Sequence, residues 1–307
     1  TPSPAFYING QSELDETRND FSGMGTFNGV NPSTGVVIYY ELPEIRDSSL
    51  QLRLEIKDAE GMIVRTYNSE KEKNYNKYNG GPSEQPVLPK AKGLNRFVWD
   101  MRYPSLPGVP EVYMAISYRG HKASPGKYTL TLYLGDKSAS ADAVIVANPL
   151  YKTTAEEYKE YNTVMHGMEV NATQMLEMVN SMNTKREQLE GIIASLPADS
   201  AYNTIKKEAR ALALKMKSWD DDMVQRKCKA YDDEENFPNK FTMSYIFLLN
   251  QTESEIPRVN KPSLDLLHTY NLQWEALRSR GADLLDKQVP ALNKKFWEAG
   301  IGAIWIN

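Results

Sequence analysis

The chain has 307 residues, enough for one large domain or two of ordinary size, and its 41% hydrophobic and 25% charged content describes a solvated globular protein. With 40 acidic against 36 basic residues the net charge is -4, which removes the electrostatic basis for nucleic-acid binding. No run approaches the roughly 20 apolar residues of a membrane-spanning helix, Cys228 stands alone, and none of His121, His166 and His268 lies within metal-ligand spacing of another, so no disulfide framework, metal site, cofactor or catalytic residue is expected.

Residues 1–24 are polar without a clear period and read as a lead-in segment. From 25 to 148 the hydrophobic period is two. Val36 to Leu42 is rich in β-branched and aromatic residues and stops at Pro43. Leu50, Leu52, Leu54 and Ile56 alternate with Gln51, Arg53, Glu55 and Lys57, a strand with one wet face. Asp58-Ala59-Glu60-Gly61 then turns the chain into a partner strand, Met62 to Tyr67. The interval 68–92 is rich in Asn, Lys, Gly and Pro and reads as a large loop. Phe97, Trp99 and Met101 alternate again, as do Tyr128, Leu130, Leu132 and Leu134 before a Gly135-Asp136 turn into a strand over 139–146.

After Asn148-Pro149 the period changes to 3.5. Tyr161, Met165, Met168, Ala172, Met175, Val179, Met182, Arg186, Leu189, Ile193 and Leu196 step by alternating four and three, an a/d seam interrupted only by Arg186. A helix over 155–195 would be roughly 60 Å long. Pro197 stops it, and Asp199 or Ser200 is placed to cap a second helix with Ile205, Ala209, Leu212, Met216, Trp219 and Met223 inward. A short apolar helix spans 241–249. A third long helix follows Pro262-Ser263 with Leu267, Tyr270, Trp274, Leu277, Gly281, Leu284 and Leu285 inward. The expected fold class is therefore α+β and multidomain: an immunoglobulin-like antiparallel β-sandwich over 25–148 followed by an up-down helical bundle over 149–307.

Little in the chain invites chemistry. Asp220-Asp221-Asp222 and Asp232-Asp233-Glu234-Glu235 read as solvated charge at a helix end and in a connector. A calcium site from Asp232, Asp233 and Glu235 is the sharper alternative, but it lacks the alternating ligands and the Gly of a helix–loop–helix site. His166 and His268 sit beside seam positions, and His121 lies in a loop with no acidic neighbour in sequence. Cys228, among Arg226, Lys227 and Lys229, has a setting that could lower a thiol pKa, yet no matching His or second Cys makes it reactive. The binding candidates are tyrosines. Tyr67, Tyr75, Tyr78, Tyr103, Tyr113 and Tyr118 concentrate in loops beside Asn74, Asn76 and Asn79, a composition suited to protein docking or sugar stacking. The competing reading is that they cover the sandwich edge or its interface with the helices.

Several segments, in this order, resemble the C-terminal region of bacterial sortilin-like proteins, large exported chains of Asp-box β-propellers often labelled glycosyl hydrolase or BNR-repeat proteins. The residues that carry the resemblance are Asn31-Pro32-Ser33-Thr34-Gly35 leading into Tyr39-Tyr40, the hairpin Leu54 to Thr66, and Gly93-Leu94-Asn95-Arg96-Phe97-Val98-Trp99-Asp100-Met101-Arg102-Tyr103-Pro104. Pro125-Gly126-Lys127-Tyr128, a pattern shared with the Ig-like domain of the flagellar hook-capping type, follows it. Phe237-Pro238-Asn239-Lys240 and Val289-Pro290-Ala291-Leu292-Asn293 extend the resemblance into the helical half. The chain departs at Asn148-Pro149-Leu150, where the family usually has Asp-Pro-Arg, and it holds no Asp-box of the form Ser-x-Asp-x-Gly-x-x-Trp. The resemblance implies a non-catalytic structural and docking module, with Trp99, Asp100, Arg102, Pro125 and Gly126 as structural motif residues. Its implied partner is the propeller of the same parent chain or another envelope protein; a glycan is the alternative ligand. It also implies export to the periplasm, outer membrane or cell surface, which a single Cys in a Tyr-rich chain suits.

Overall fold

A computed structural model describes residues 2–7, 33–47, 49–197, 202–253 and 256–304. Residues 8–24 of the expected lead-in, Asn31-Pro32 and the expected caps Asp199 and Ser200 lie outside the described residues. The chain is mixed α/β, with strands in its first half and helices in its second.

Seven strands are described: β1 (Ala5–Phe6), β2 (Val36–Leu42), β3 (Leu52–Lys57), β4 (Ile63–Asn68), β5 (Gly93–Trp99), β6 (Gly126–Leu134) and β7 (Lys137–Val146). A five-stranded sheet runs β1-β7-β6-β3-β4, and β2 pairs antiparallel with β5 in a two-stranded sheet, with Val36 opposite Trp99. Alternation explains which face is inward: Leu52, Leu54 and Ile56 share one buried core with Val36, Ile38, Phe97, Trp99, Tyr128 and Leu130. Trp99 meets Tyr128 edge-on at 5.3 Å, and Tyr67 meets Phe97 at 4.7 Å.

Two features differ from the sequence expectation. Residues 5–7 are structured: β1 pairs parallel with β7, and Tyr7 is buried against Tyr158 at the start of the first helix. The supposedly wet face of β3 also hides a carboxylate. Glu55 is buried because Arg53, Lys57 and the Tyr133 hydroxyl all converge on it.

The helices are α1 (Ala155–Ser195), α2 (Asn203–Met223), α3 (Phe241–Thr252), α4 (Lys261–Ala282) and α5 (Val289–Glu298). Thr154 and Glu157 close a reciprocal capping box on α1, which then runs for 41 residues. Its seam from Tyr161 to Leu189 is buried apart from Arg186, which is half-buried and bonded to Asn183 and Glu190. The third long helix does not run on as one: a wide turn of π-helix over Asp283–Gln288 joins α4 to α5, and Pro290 starts α5 where no backbone donor is needed. No described helix is long and apolar enough to cross a membrane.

The stretch between β5 and β6 joins the two halves. Residues 101–125 contain one isolated bridge, Arg102 to Lys122, and otherwise no regular pairing. Leu106, Val109, Val112, Met114 and Tyr118 are nevertheless buried, and they belong to the helical core together with Met168, Trp219 and Ile246. Truncating Leu106 to Ala should cost about 2–4 kcal/mol by leaving a void in that shared core. The midpoint of helix ellipticity during thermal unfolding checks it; a helix signal that melts unchanged would show that the segment does not support the helices.

Tyrosine burial sets a second expectation. Desolvation pushes the Tyr40 and Tyr245 phenols up to about 12, and those of Tyr7, Tyr67, Tyr118 and Tyr128 further still. Folded-state values above the ordinary one, near 10, mean stability that is complete below about pH 10 and is lost as pH rises past it. Tyrosinate absorbance from these residues should therefore appear together with loss of helix ellipticity above about pH 10, and tyrosinate formation with ellipticity intact would refute the coupling.

Candidate functional site

A cleft of about 680 Å³ opens where three pieces of chain converge: the loop 72–85, the segment 103–110 and one stripe of α1. The stripe is His166, Val170, Thr173 and Glu177, one or two residues beyond the seam positions, so it faces out from the same helix that builds the core. Tyr75, Tyr78 and Tyr103 line the cleft with Asn74, Asn76, Gln85 and Gln174, and Pro82, Pro104, Pro107 and Pro110 stiffen two of its walls.

The structure sorts the six sequence-selected tyrosines. Tyr67 and Tyr118 are buried, which takes them out of any exposed contact. Tyr67 packs under Phe97 and beneath Arg65, and Tyr118 lies in the helical core with its hydroxyl sealed from solvent. Tyr113 and Tyr78 are half-buried pegs on glycines. A Cβ on Gly80 would sit 2.4 Å from the Tyr113 ring, and one on Gly108 would sit 2.1 Å from the Tyr78 hydroxyl. Only Tyr75, Tyr78 and Tyr103 come together at the cleft. Tyr75 donates its hydroxyl to the Pro82 carbonyl at 3.2 Å, which folds the loop back on itself.

Behind Tyr103 lies a buried polar cluster that sequence separation concealed. The Tyr103 ring stacks on His121 at 4.5 Å and 11°, and His121 is fully buried. Glu169, also buried, accepts the His121 backbone N–H at 2.6 Å across 48 residues of chain. Its Oε1 also lies 2.9 Å from His121 Nδ1, close enough for an ion pair but without the direction of a hydrogen bond. Asn162 Oδ1 meets Nε2 at 2.7 Å. Burial pushes the Tyr103 phenol up, and Asn162 opposes that shift.

The structural-motif residues hold the same junction. Trp99 is fully buried and donates its indole N–H to the Arg102 carbonyl at 3.2 Å. Asp100 and Arg102 do not pair through their side chains. Asp100 accepts from the Arg102 backbone N–H and the Tyr67 hydroxyl, while the Arg102 guanidinium reaches the Gly120 carbonyl at 2.7 Å and Glu253 at 2.8 Å. Arg102 thus ties the strands to the end of α3. Pro125 precedes Gly126, the first residue of β6, and the nearby Tyr128 hydroxyl anchors to the Ser124 carbonyl.

The acidic stretches are occupied differently from the sequence expectation. Asp220 is buried, not solvated, and is bonded by Arg226 at 2.7 Å. Asp233 accepts the Lys229 and Ala230 backbone N–H groups, and Glu234 accepts that of Ala115 at 2.9 Å, so both act as clamps on backbone. Among the described residues no three His, Cys, Asp or Glu side chains gather as a metal site. Burial, with Glu234 and Asp233 adding to it, pushes the Cys228 thiol up, opposite to the direction its basic sequence neighbours suggested.

Comparison with protein-family models, with curated proteins and with solved structures finds no match for this chain. The cleft itself therefore carries the functional argument.

Two glutamates on α1 separate structure from surface. Glu169→Ala leaves the buried His121 backbone N–H without its acceptor and should cost about 1–3 kcal/mol. Glu177→Ala, on the exposed stripe, should shift stability by under about 0.5 kcal/mol. Urea unfolding of both variants checks this; equal losses would mean that the His121 contact contributes nothing particular.

Proposed function

We propose that the chain is a non-catalytic docking module, similar to the C-terminal region of exported bacterial sortilin-like propeller proteins. Its partner in this reading is the propeller of the same parent chain or a second envelope protein. The observation that carries the reading is the tyrosine- and proline-walled cleft, built where the segment that packs into the helical core runs beside α1. Interface-forming surfaces favour tyrosine because it offers large contact area at low entropic cost.

The finer fold belongs to the same proposal: an immunoglobulin-like sandwich followed by an up-down helical bundle. Support for the sandwich comes from two sheets enclosing Trp99, and for the bundle from the a/d seams of α1 and α2. The non-catalytic reading is supported by what the candidate groups already do. His121 is sealed against Glu169 and Asn162, and Asp100 is held by Tyr67 and Arg102.

One observation favours a second reading, a glycan-binding accessory module: the side-chain amides of Asn74, Asn76, Gln85 and Gln174 line the cleft beside Tyr75 and Tyr103. A photo-crosslinking residue tests both. Placed at Val170, which is 42% exposed and lines the cleft, it should give one discrete protein adduct in the native envelope. Placed at Leu214 on α2, which is 68% exposed, it should give none. No adduct, or equal adducts at both positions, defeats the docking reading. An adduct that glycosidase removes puts the glycan reading first.

A further inference from the structure

The charge of the cleft is one-sided. Glu72, Glu169 and Glu177 line it, and no Lys or Arg does, in a chain with 36 basic residues. Glu169 is committed inward to His121. The other two are different. Among the described residues neither Glu72 nor Glu177 has an ion-pair partner, whereas carboxylates close to each in sequence do: Glu84 pairs with Lys71 at 3.1 Å and Glu190 with Arg186 at 2.6 Å. Glu72 stands on the loop wall and Glu177 on the helix wall, with Tyr75 and Tyr103 lining the same space.

One buried cation, Arg65, is bonded to two residues of this lining. Arg65 donates to Gln85 at 2.5 Å and to the Tyr103 carbonyl, and its guanidinium stacks 5.1 Å from the Tyr67 ring. Among the described residues Arg65 makes no ion pair with Glu72 or Glu177; its hydrogen bonds go to the lining residues Gln85 and Tyr103.

We propose that this cleft takes a basic, extended segment of a protein partner, seating an Arg or Lys side chain between Glu72 and Glu177 beside the tyrosines. The inference rests on the docking reading above and names the partner's chemistry. A guanidinium suits both parts of the site: it forks onto a carboxylate and lies over an aromatic ring within about 6 Å. A neutral glycan can donate hydroxyls to the two carboxylates but leaves their charge uncompensated, and an acidic one is repelled by them. Length favours a chain over a free small cation. From His166 to Glu177 the stripe spans about 16 Å at ~1.5 Å per residue, which about five residues of extended backbone would cover.

The test uses the whole chain and three probes: an acetylated, amidated Gly-Arg-Gly-Arg-Gly peptide, the same peptide with Glu in place of Arg, and cellohexaose, each titrated by calorimetry. The Arg peptide should bind, weaken with added salt, and weaken by about tenfold in the Glu72→Gln, Glu177→Gln double variant. Glu190→Gln, further along α1 and outside the cleft, should bind as the parent does. The inference is overturned if the Arg peptide does not bind at millimolar concentration, or binds the double variant equally well. It is also overturned if the Glu peptide or cellohexaose binds more tightly than the Arg peptide. An adduct from Val170 alongside a silent Arg peptide would keep the docking reading and remove only the basic segment. Absence of both would remove the two together.

Discussion

Backbone polarity in an irregular segment governs how this molecule is put together. Residues 101–125 have neither a ladder nor a helix to satisfy their N–H and C=O groups, yet their side chains are drawn into the helical core. Some pair within the segment, as Leu106 N–H with the Tyr118 carbonyl and Ala123 N–H with that of Met101, and others find partners in the helical half. Asn180 donates to the Gly108 carbonyl, Glu234 accepts from Ala115, Glu169 accepts from His121, and the Cys228 carbonyl accepts from Tyr113. Asn250 makes a reciprocal pair with Ser117, at 2.7 Å to its N–H and 3.0 Å from its carbonyl. A buried donor left bare costs about 1–3 kcal/mol. That cost applies to the buried His121–Glu169 bond, and the more exposed bonds add direction, so that together they fix how the segment sits against the helices.

The cleft follows from that arrangement. Tyr103 is held against His121 on its inner side, and Glu169 holds His121, so the wall beside α1 cannot slide along the helix. Any register other than the observed one would leave the His121 N–H without its acceptor. Against an apolar replacement a buried charged group of this kind gains little net stability, because desolvation offsets its attraction. Its contribution is to make one register cheaper than its neighbours. The methionines of the seam need such a device: Met165, Met168, Met175, Met182, Met216 and Met223 are all buried, and flexible thioethers specify packing poorly.

Much of the fold was legible in the sequence because its signals are local. Alternation at Leu52, Leu54 and Ile56 and the 3.5-residue step from Tyr161 to Leu189 mark strand and helix without tertiary information. What escaped was every feature that depends on a distant partner. Glu55 looks solvated until Tyr133 and two cations close over it, and Asp220 until Arg226 does. His121 shows no acidic neighbour until α1 brings Glu169 to it. The role of residues 101–125 did leave a trace: Leu106, Val109, Val112, Met114 and Ile116 are too many apolar residues for a solvated loop. Their spacing changes from three to two within eleven residues, so no single period reveals them. The tyrosines were legible as a group but not individually, since composition does not say which ring lies on a glycine and which faces a cleft.

Helix α1 ends up serving two neighbours at once. Its seam is spoken for by α2 and by the apolar side chains of the 101–125 segment, and a second stripe of His166, Val170, Thr173 and Glu177 is left facing the cleft. On a 3.6-residue helix the two stripes lie about 150° apart on one rigid rod, so the seam cannot repack by rotating without turning Glu177 away from Glu72. Core packing of α1 therefore positions Glu177, while Glu72 is carried by the loop 72–85. Both are exposed, so they stay unpaired at a modest electrostatic cost in water. A cationic side chain arriving between them meets a site already in place, and little of the attraction is lost to ordering the protein.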